Sequence, residues 1–156
     1  MKKELTAKET KEKALRFLEY RSHSEKELSD KLKRAGAKEE DILPVMDFLK
    51  EYGFIKDDEY AKHLARDLQN LKKYGKHRII QELKFRGIIA EYIDDAMAEL
   101  GDDERDSLYH LVEKKLAANF DRKNIEKVVR YFVYRGYGYE DIKSCIEEIK
   151  ENSDEE

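Results

Sequence analysis

Residues 75–87 read GKHRIIQELKFRG, and segments of the same kind stand at 24–36 (SEKELSDKLKRAG) and 124–136 (NIEKVVRYFVYRG). Each segment ends in a glycine, and the three glycines lie 51 and 49 residues apart. Recurrence at such a period is typical of a protein built from stacked structural repeats. The glycines therefore serve as reference points for the whole chain.

Apolar residues recur at five fixed distances from these glycines: eight and four residues before, and six, ten and thirteen residues after. Steps of four, three and seven residues are helical spacings. The pattern predicts a helix on each side of every glycine, with the glycine in the left-handed conformation that ends the first helix. The fifteen positions are Leu28, Ile79 and Val128; Leu32, Leu83 and Phe132; Ile42, Ile93 and Ile142; Met46, Met97 and Ile146; Leu49, Leu100 and Ile149.

The helix starts can also be placed. Ser24, Gly75 and Asn124 stand twelve residues before their glycines and are acceptable N-caps, and Ser24 with Glu27 has the form of a capping box. Acidic residues at 57–59 and 102–104 suit the positive end of a further helix. An additional helix thus precedes each capped helix, which gives nine helices in three groups of three.

These helices predict an all-α fold of three tandem three-helix repeats that form an elongated curved array. We expect repeat 1 at 14–55, repeat 2 at 56–100 and repeat 3 at 101–150. An N-terminal extension (1–13) precedes them, and an acidic, disordered tail (151–156) follows.

Composition suits such an array, because 44% of the residues are charged and the net charge is −4. The chain has no run of 18 apolar residues, and its first residues lack the apolar stretch of a secretory signal. A single cysteine, Cys145, fits a reducing compartment. We expect a cytoplasmic protein.

Catalytic and metal chemistry have little support in the sequence. Cys145 stands nine residues after Gly136, where the other repeats have Val45 and Ala96, so it is predicted to be a small packing residue. The four histidines lack a zinc-binding spacing, and no glycine-rich phosphate loop is present. We predict a protein without enzymatic activity, catalytic residues, cofactor or metal.

The segment 62–86 carries eight basic residues and only two acidic ones, whereas 101–156 carries 10 basic and 15 acidic residues. The basic segment is either a solvated helix surface or a contact for an anionic partner, and the helix start after Gly75 would itself favour an anion. Tyr131, Tyr134, Tyr137 and Tyr139 could stack on nucleic-acid bases or pack between repeats. We expect Lys72, Lys73 and Lys76 to be exposed. Our candidate partner-binding residues are Lys62, Arg66, Lys72, Lys73, Lys76, Arg78, Lys84 and Arg86.

Four stretches together resemble the RecX family, the regulators of the RecA recombinase. They are ALRFLEYRSHSEKELSDKLKRAG (14–36), LKEYGFIKDDEYAKHLARD (49–67), YGKHRIIQELKFRGI (74–88) and VVRYFVYRGYGYEDI (128–142). The last contains the Arg-Gly-aromatic element at Arg135, Gly136 and Tyr137. The resemblance covers about residues 14–150.

The resemblance implies three tandem three-helix repeats and a partner, the RecA filament on single-stranded DNA. It implies inhibition or modulation of the filament's ATPase, strand-exchange and co-protease activities, in DNA repair, homologous recombination and the SOS response. We expect a monomer without membrane contact. Direct binding to DNA stays open, although the acidic last third argues against strong DNA binding. Two alternatives also stay open: a nucleic-acid-binding protein of tandem helix-turn-helix-like repeats, and a scaffold for an unrelated partner.

Overall fold

The computed structural model describes residues 3–155 and is helical throughout this part of the chain, with no strand in it. The helices within these residues are α1 (Ala7–Tyr20), α2 (Glu25–Arg34), α3 (Glu39–Glu51), α4 (Asp57–Asn70), α5 (Lys76–Phe85), α6 (Ala90–Glu99), α7 (Glu104–Leu116), α8 (Arg122–Tyr134) and α9 (Tyr139–Asp154). This confirms the prediction of an all-α fold. None of these helices is long and apolar enough to span a bilayer.

The chain divides into two compact units. The first contains the residues up to Leu64 together with Leu83–Ala96, and the second contains Ala65–Glu82 together with the residues from Met97 onward. Helices α1, α2 and α3 share one core in the first unit, and α7, α8 and α9 share another in the second. Helices α4, α5 and α6 contribute residues to both units. The predicted repeat boundaries remain a prediction.

The three reference glycines end helices as predicted. Gly36, Gly87 and Gly136 have φ values of 105°, 77° and 101°. In each case the glycine N–H and the following N–H donate to carbonyls near the end of the preceding helix, at 2.9 to 3.1 Å. This is the double hydrogen bond of a Schellman motif, which satisfies carbonyls that the helix itself leaves unpaired.

The apolar residues at the five fixed distances from the glycines form the cores. Of the fifteen recurring positions, all are buried except Met97 and Leu100, which are half-buried. Cys145 is fully buried in the core of α7, α8 and α9, and its counterparts Val45 and Ala96 are buried as well. The prediction that Cys145 is a packing residue is confirmed.

Two of the three predicted helix starts are correct. Ser24 caps α2 with the complete capping box to Glu27, and α5 begins directly after Gly75. Asn124 is wrong as an N-cap, because α8 begins at Arg122 after Asp121. The Asn124 amide instead donates to the carbonyls of Leu116, the last residue of α7, and of Asn119 in the following loop, at 3.2 and 2.7 Å. These bonds hold Asn124 inside the first turn of α8.

The ends of the chain differ from the expectation. Helix α1 begins at Ala7, within the stretch predicted to be an extension, and Thr6 caps it in a capping box with Glu9. Helix α9 continues through Asp154, so the prediction of a disordered tail is wrong for residues 151–154. Residues 1, 2 and 156, which also belong to these predicted segments, lie outside the described residues.

An acidic residue from the first turn of a later helix caps α2 and α5. Asp57 at the start of α4 accepts a hydrogen bond from the Glu25 N–H at 2.9 Å. Glu104 at the start of α7 accepts one from the Lys76 N–H at 2.6 Å. A carboxylate at a helix N-terminus satisfies an unpaired N–H and interacts favourably with the helix dipole.

Replacing Glu104 by alanine should lower the free energy of unfolding by about 1–2 kcal/mol, because the Lys76 N–H loses its acceptor. The matched control is Asp103→Ala, since Asp103 is exposed and its side chain makes no capping hydrogen bond. Urea unfolding followed by circular dichroism would measure both variants. Equal stability of the two would show that the Glu104 carboxylate does not stabilise α5.

Candidate partner-binding surface

The eight predicted basic residues do not form one group within a single compact unit. Lys62, Lys84 and Arg86 belong to the first unit, and the other five belong to the second. Arg86 lies 4.0 Å from the Glu27 carboxylate and is half-buried. Arg66 forms an ion pair of 3.6 Å with Glu99. Neither unit therefore contains the whole predicted surface.

The start of α5 does not offer the anion-binding position that the sequence suggested. The N–H groups of Gly75 and His77 donate to the carbonyls of Arg135 and Gly136, at 2.8 and 3.2 Å, and Glu104 accepts the Lys76 N–H. The chain's own acceptors occupy this helix end. The expectation of an anion there was wrong, because acceptors from residues far away in sequence satisfy these donors.

Lys76 also differs from its prediction as an exposed contact residue. It is half-buried, and its ammonium group donates to the Gly101 carbonyl at 2.9 Å. Lys72 and Lys73, in contrast, are exposed in the loop between α4 and α5. Of these three lysines, only the two loop residues present their side chains to solvent as predicted.

Cations and tyrosines alternate across the second compact unit. The Arg78 guanidinium lies 4.8 Å from the centre of the Tyr74 ring and 5.0 Å from that of Tyr134. The Arg135 guanidinium lies 5.3 Å from Tyr74 and 5.2 Å from Tyr131. These are cation–π distances. Lys115 extends the row, 4.2 Å from the Tyr131 ring. We call Tyr74, Arg78, Lys115, Tyr131, Tyr134 and Arg135 the basic–aromatic cluster.

Hydrogen bonds hold the loop between α4 and α5 against the end of α8. The Arg135 guanidinium donates to the Lys72 carbonyl, and the Tyr137 hydroxyl donates to the Lys73 carbonyl at 2.9 Å. Burial raises the pKa of Tyr137 to about 12, so this hydroxyl stays protonated and remains a donor at neutral pH. Lys73 has a φ of 57°, and its exposed side chain extends from a loop whose backbone is fixed.

A shallow groove of about 360 Å³ lies beside the cluster. Four of the described residues that line it are cationic and none is acidic, while Tyr131 is 39% exposed. Cations next to an accessible aromatic ring can bind phosphates and stack on a base, and they can also pair with carboxylates. The lining residues are Lys73, Leu111, Lys114, Lys115, Tyr131, Phe132 and Arg135.

Sequence reasoning did not propose Lys114, Lys115 and Arg135 as contact residues. They come from α7 and from the end of α8, outside the basic segment and within the part of the chain where acidic residues dominate. The sequence did contain one signal for Arg135. It stands directly before a reference glycine, as the predicted contact residue Arg86 does. Of the four tyrosines left open between stacking and packing, Tyr131, Tyr134 and Tyr139 are exposed, whereas Tyr137 is buried and is a packing residue.

His23 and Cys145 have structural roles. His23 is buried, and its Nε2 accepts a hydrogen bond from the Lys31 ammonium group while Nδ1 donates to the Arg21 carbonyl. Burial lowers the pKa of His23, in agreement with a neutral ring. Burial also raises the pKa of the Cys145 thiol, the opposite of the change that activates a nucleophile. Within residues 3–155, no three His, Cys, Asp or Glu side chains are grouped as metal ligands.

Tandem helical repeats that carry a basic and aromatic surface are typical of proteins that act by binding a macromolecular partner. Two family models match this chain: the first three-helix domain of RecX at residues 11–49 and the second at residues 57–97. The regulatory protein RecX of Clostridium botulinum (strain Eklund 17B) is 32% identical over 146 residues, which are 88% of this chain and 67% of the relative. The regulatory protein RecX of Vibrio campbellii is 34% identical over 139 residues, which are 88% of this chain and 89% of that relative.

The fold agrees with these matches. The crystal structure of RecX from Lactobacillus salivarius superposes with a TM-score of 0.78, covers 92% of this chain and 96% of that structure, and shares 24% sequence identity. The chain belongs to the RecX family of regulatory proteins.

Proposed function

We propose that this protein binds the RecA filament on single-stranded DNA and modulates it, mainly by inhibiting its ATPase, strand-exchange and co-protease activities. It would act in the cytoplasm as a monomer, in DNA repair, homologous recombination and the SOS response. One observation carries the proposal: the chain matches regulatory RecX proteins over about nine-tenths of its length. A regulator that binds the assembled filament more tightly than free subunits shifts the filament's equilibrium by that difference in affinity.

The basic–aromatic cluster supports an anionic contact on such a filament, with either carboxylates or DNA phosphates. We propose Lys72, Lys73 and Arg78 as contact residues from the predicted set, together with Lys114, Lys115 and Arg135. Lys76 is left out because its ammonium group is bound to the Gly101 carbonyl. Lys62, Arg66, Lys84 and Arg86 stay candidates without a defined role.

A second candidate function is direct binding of single-stranded nucleic acid. The alternation of cations and tyrosines favours it, because phosphates and bases can be bound side by side on such a surface. The net charge of −4 works against it, since binding to a polyanion draws on positive charge.

A titration with two ligands separates these functions. The protein is added to fluorescently labelled single-stranded DNA, either naked or coated with RecA in the presence of ATP, and both anisotropy and ATP hydrolysis are followed. We expect tighter binding to the coated DNA and a decrease in ATP hydrolysis. Equal affinity for naked DNA without an effect on hydrolysis would favour the second function, and no binding to the filament would refute the first.

A further inference from the structure

The first compact unit contains a groove of about 650 Å³ between α2, α3 and the segment before α6. This volume is within the usual range of ligand-binding sites. Its floor includes the buried side chains of Ile42 and Met46. Leu43 and Ile89 also line it, although they are 67% and 53% exposed. Two aliphatic side chains thus face water in a groove whose floor is already apolar.

The repeats show that the fold does not require these aliphatic residues. Leu43 stands seven residues after its reference glycine, where the other repeats have Asp94 and Lys143. Ile89 stands two residues after its reference glycine, Gly87, where the other repeats have Lys38 and Gly138. Exposed aliphatic surface loses the free energy that burial would provide, about 25 cal/mol per Å². Because polar residues or glycine serve at the same positions elsewhere, the pair Leu43 and Ile89 indicates contact with a partner.

The groove also has an acidic end. Along its side, Lys26 pairs with Asp30 at 3.0 Å and Lys33 pairs with Glu39 at 3.6 Å, so these charges compensate one another. This leaves the carboxylates of Glu25 and Asp57 among the lining residues.

Among the residues that the structure describes, Lys50 provides the one ammonium group near these two carboxylates. Lys50 lies 3.0 Å from Glu25, so one negative charge remains at this end of the groove. Burial raises the pKa of Asp57, and the neighbouring charge of Glu25 raises it further. The ionised carboxylate is therefore less stable than an exposed one, and a cation beside it would stabilise it. A partner with a positive charge beside its apolar anchor would match this end.

We propose that the groove binds a protein segment that presents an aliphatic side chain next to a lysine or arginine. The anchor would pack against Leu43 and Ile89, and the cation would lie at Glu25 and Asp57. Given the function proposed above, on which this assignment of the partner rests, the segment belongs to the surface of a RecA subunit. A nucleic acid does not fit, because its phosphates would meet carboxylates.

The chain's own repeats supply the substitutions for a test. In the variant Leu43→Asp/Ile89→Lys, each position takes the residue type that another repeat has there, and the net charge is unchanged. The matched control is Tyr20→Asp/Tyr52→Lys, since Tyr20 and Tyr52 are 89% and 65% exposed, do not line the groove and are not next to a candidate contact residue. Circular dichroism and thermal melts would establish that both variants are folded.

The affinity of each variant for RecA filaments on single-stranded DNA is then measured. We expect the groove variant to bind at least about tenfold more weakly, as is usual when a central apolar anchor is removed, and the control to stay within about twofold of the parent. A folded groove variant with the parent's affinity would overturn the proposal.

A second probe separates this proposal from the function itself. Two synthetic peptides with a leucine flanked by lysines or by glutamates are added to the parent, and the methyl signals of Leu43 and Ile89 are followed by NMR. We expect the lysine peptide to shift both signals and the glutamate peptide to leave them in place. No shift with the lysine peptide would overturn the groove assignment. Shifts from a parent that fails to bind filaments would refute the RecA function and leave the groove's specificity standing.

Discussion

An alanine at Gly136 is expected to lower the free energy of unfolding by about 3 kcal/mol, more than any other single substitution considered for this protein. The residue has a φ of 101°, which L-amino acids with a Cβ rarely adopt. An added Cβ would also overlap the backbone nitrogen and the Cβ of Arg78. Neither atom can move without displacing α5.

The control for this variant is Gly101→Ala. Gly101 has a φ of 77°, but an added Cβ there has only an Asp103 carboxylate oxygen nearby, at 4.0 Å. This variant contains the backbone strain alone and should cost about 1 kcal/mol. Urea unfolding of both variants measures the difference between them, which is the contribution of the close approach to α5. Equal destabilisation at Gly101 and Gly136 would contradict the tight contact between Gly136 and Arg78.

The glycines also show what a single sequence can and cannot provide. Their spacing and the apolar offsets predicted three helix ends and most of the core, because helix periodicity and C-cap geometry are local properties. The sequence could not rank the three glycines. An added Cβ would meet the flexible side chain of Lys26 at Gly87, the backbone carbonyl of Lys3 at Gly36, and the backbone of α5 at Gly136. These neighbours depend on how the repeats pack.

Hydrogen bonds to residues outside the helix concerned account for two of the errors. The start of α5 was expected to favour an anion, yet Glu104, 28 residues further along, occupies it. Asn124 suited an N-cap by residue type and offset, but its side-chain amide bonds to the carbonyls of Leu116 and Asn119, eight and five residues earlier. The sequence alone does not show which carboxylate or carbonyl from outside a helix will accept a hydrogen bond from a given N–H at its start.

The candidate surface was predictable only in part for the same reason. Counting charges along the chain found Lys72, Lys73 and Arg78 because they are close in sequence. The partners of Arg78 and Lys72 in the structure, Tyr134 and Arg135, lie 56 and 63 residues away. The last third of the chain is acidic overall, and this net charge concealed three cations in it. Lys114, Lys115 and Arg135 line one groove there.

Replacing Lys73, Lys114 and Lys115 by glutamate is expected to weaken filament binding on the order of 100-fold at 0.1 M salt. The three side chains are exposed and line the groove beside the basic–aromatic cluster, so the change reverses its charge without removing core contacts. The helix content should stay that of the parent. Anisotropy titrations against RecA-coated single-stranded DNA would measure the decrease in affinity.

The matched control is the triple glutamate variant at Lys123, Lys127 and Lys150. These lysines are equally exposed, belong to α8 and α9 and do not line the groove, and the change in net charge is the same. A general electrostatic effect would weaken both triple variants alike. If the contact lies at the groove, the control should stay within about threefold of the parent at 0.1 M salt, where charges more than about 10 Å from the contact are largely screened.

Neutral substitutions then identify what the lysines bind. With glutamine at the same three positions, a contact to single-stranded phosphates should reduce the slope of log affinity against log salt by about 0.7 for each phosphate that is no longer neutralised, or about two in total. If the lysines instead bind carboxylates of RecA, the glutamine variant should have a lower affinity without that stoichiometric change in the salt slope. The parent protein should then bind naked DNA poorly. Unchanged filament binding by a folded triple glutamate variant would remove the groove from the mechanism. The lysines would then be a solvated surface, and the aromatic rings beside them would serve only to pack the loop between α4 and α5 against α8.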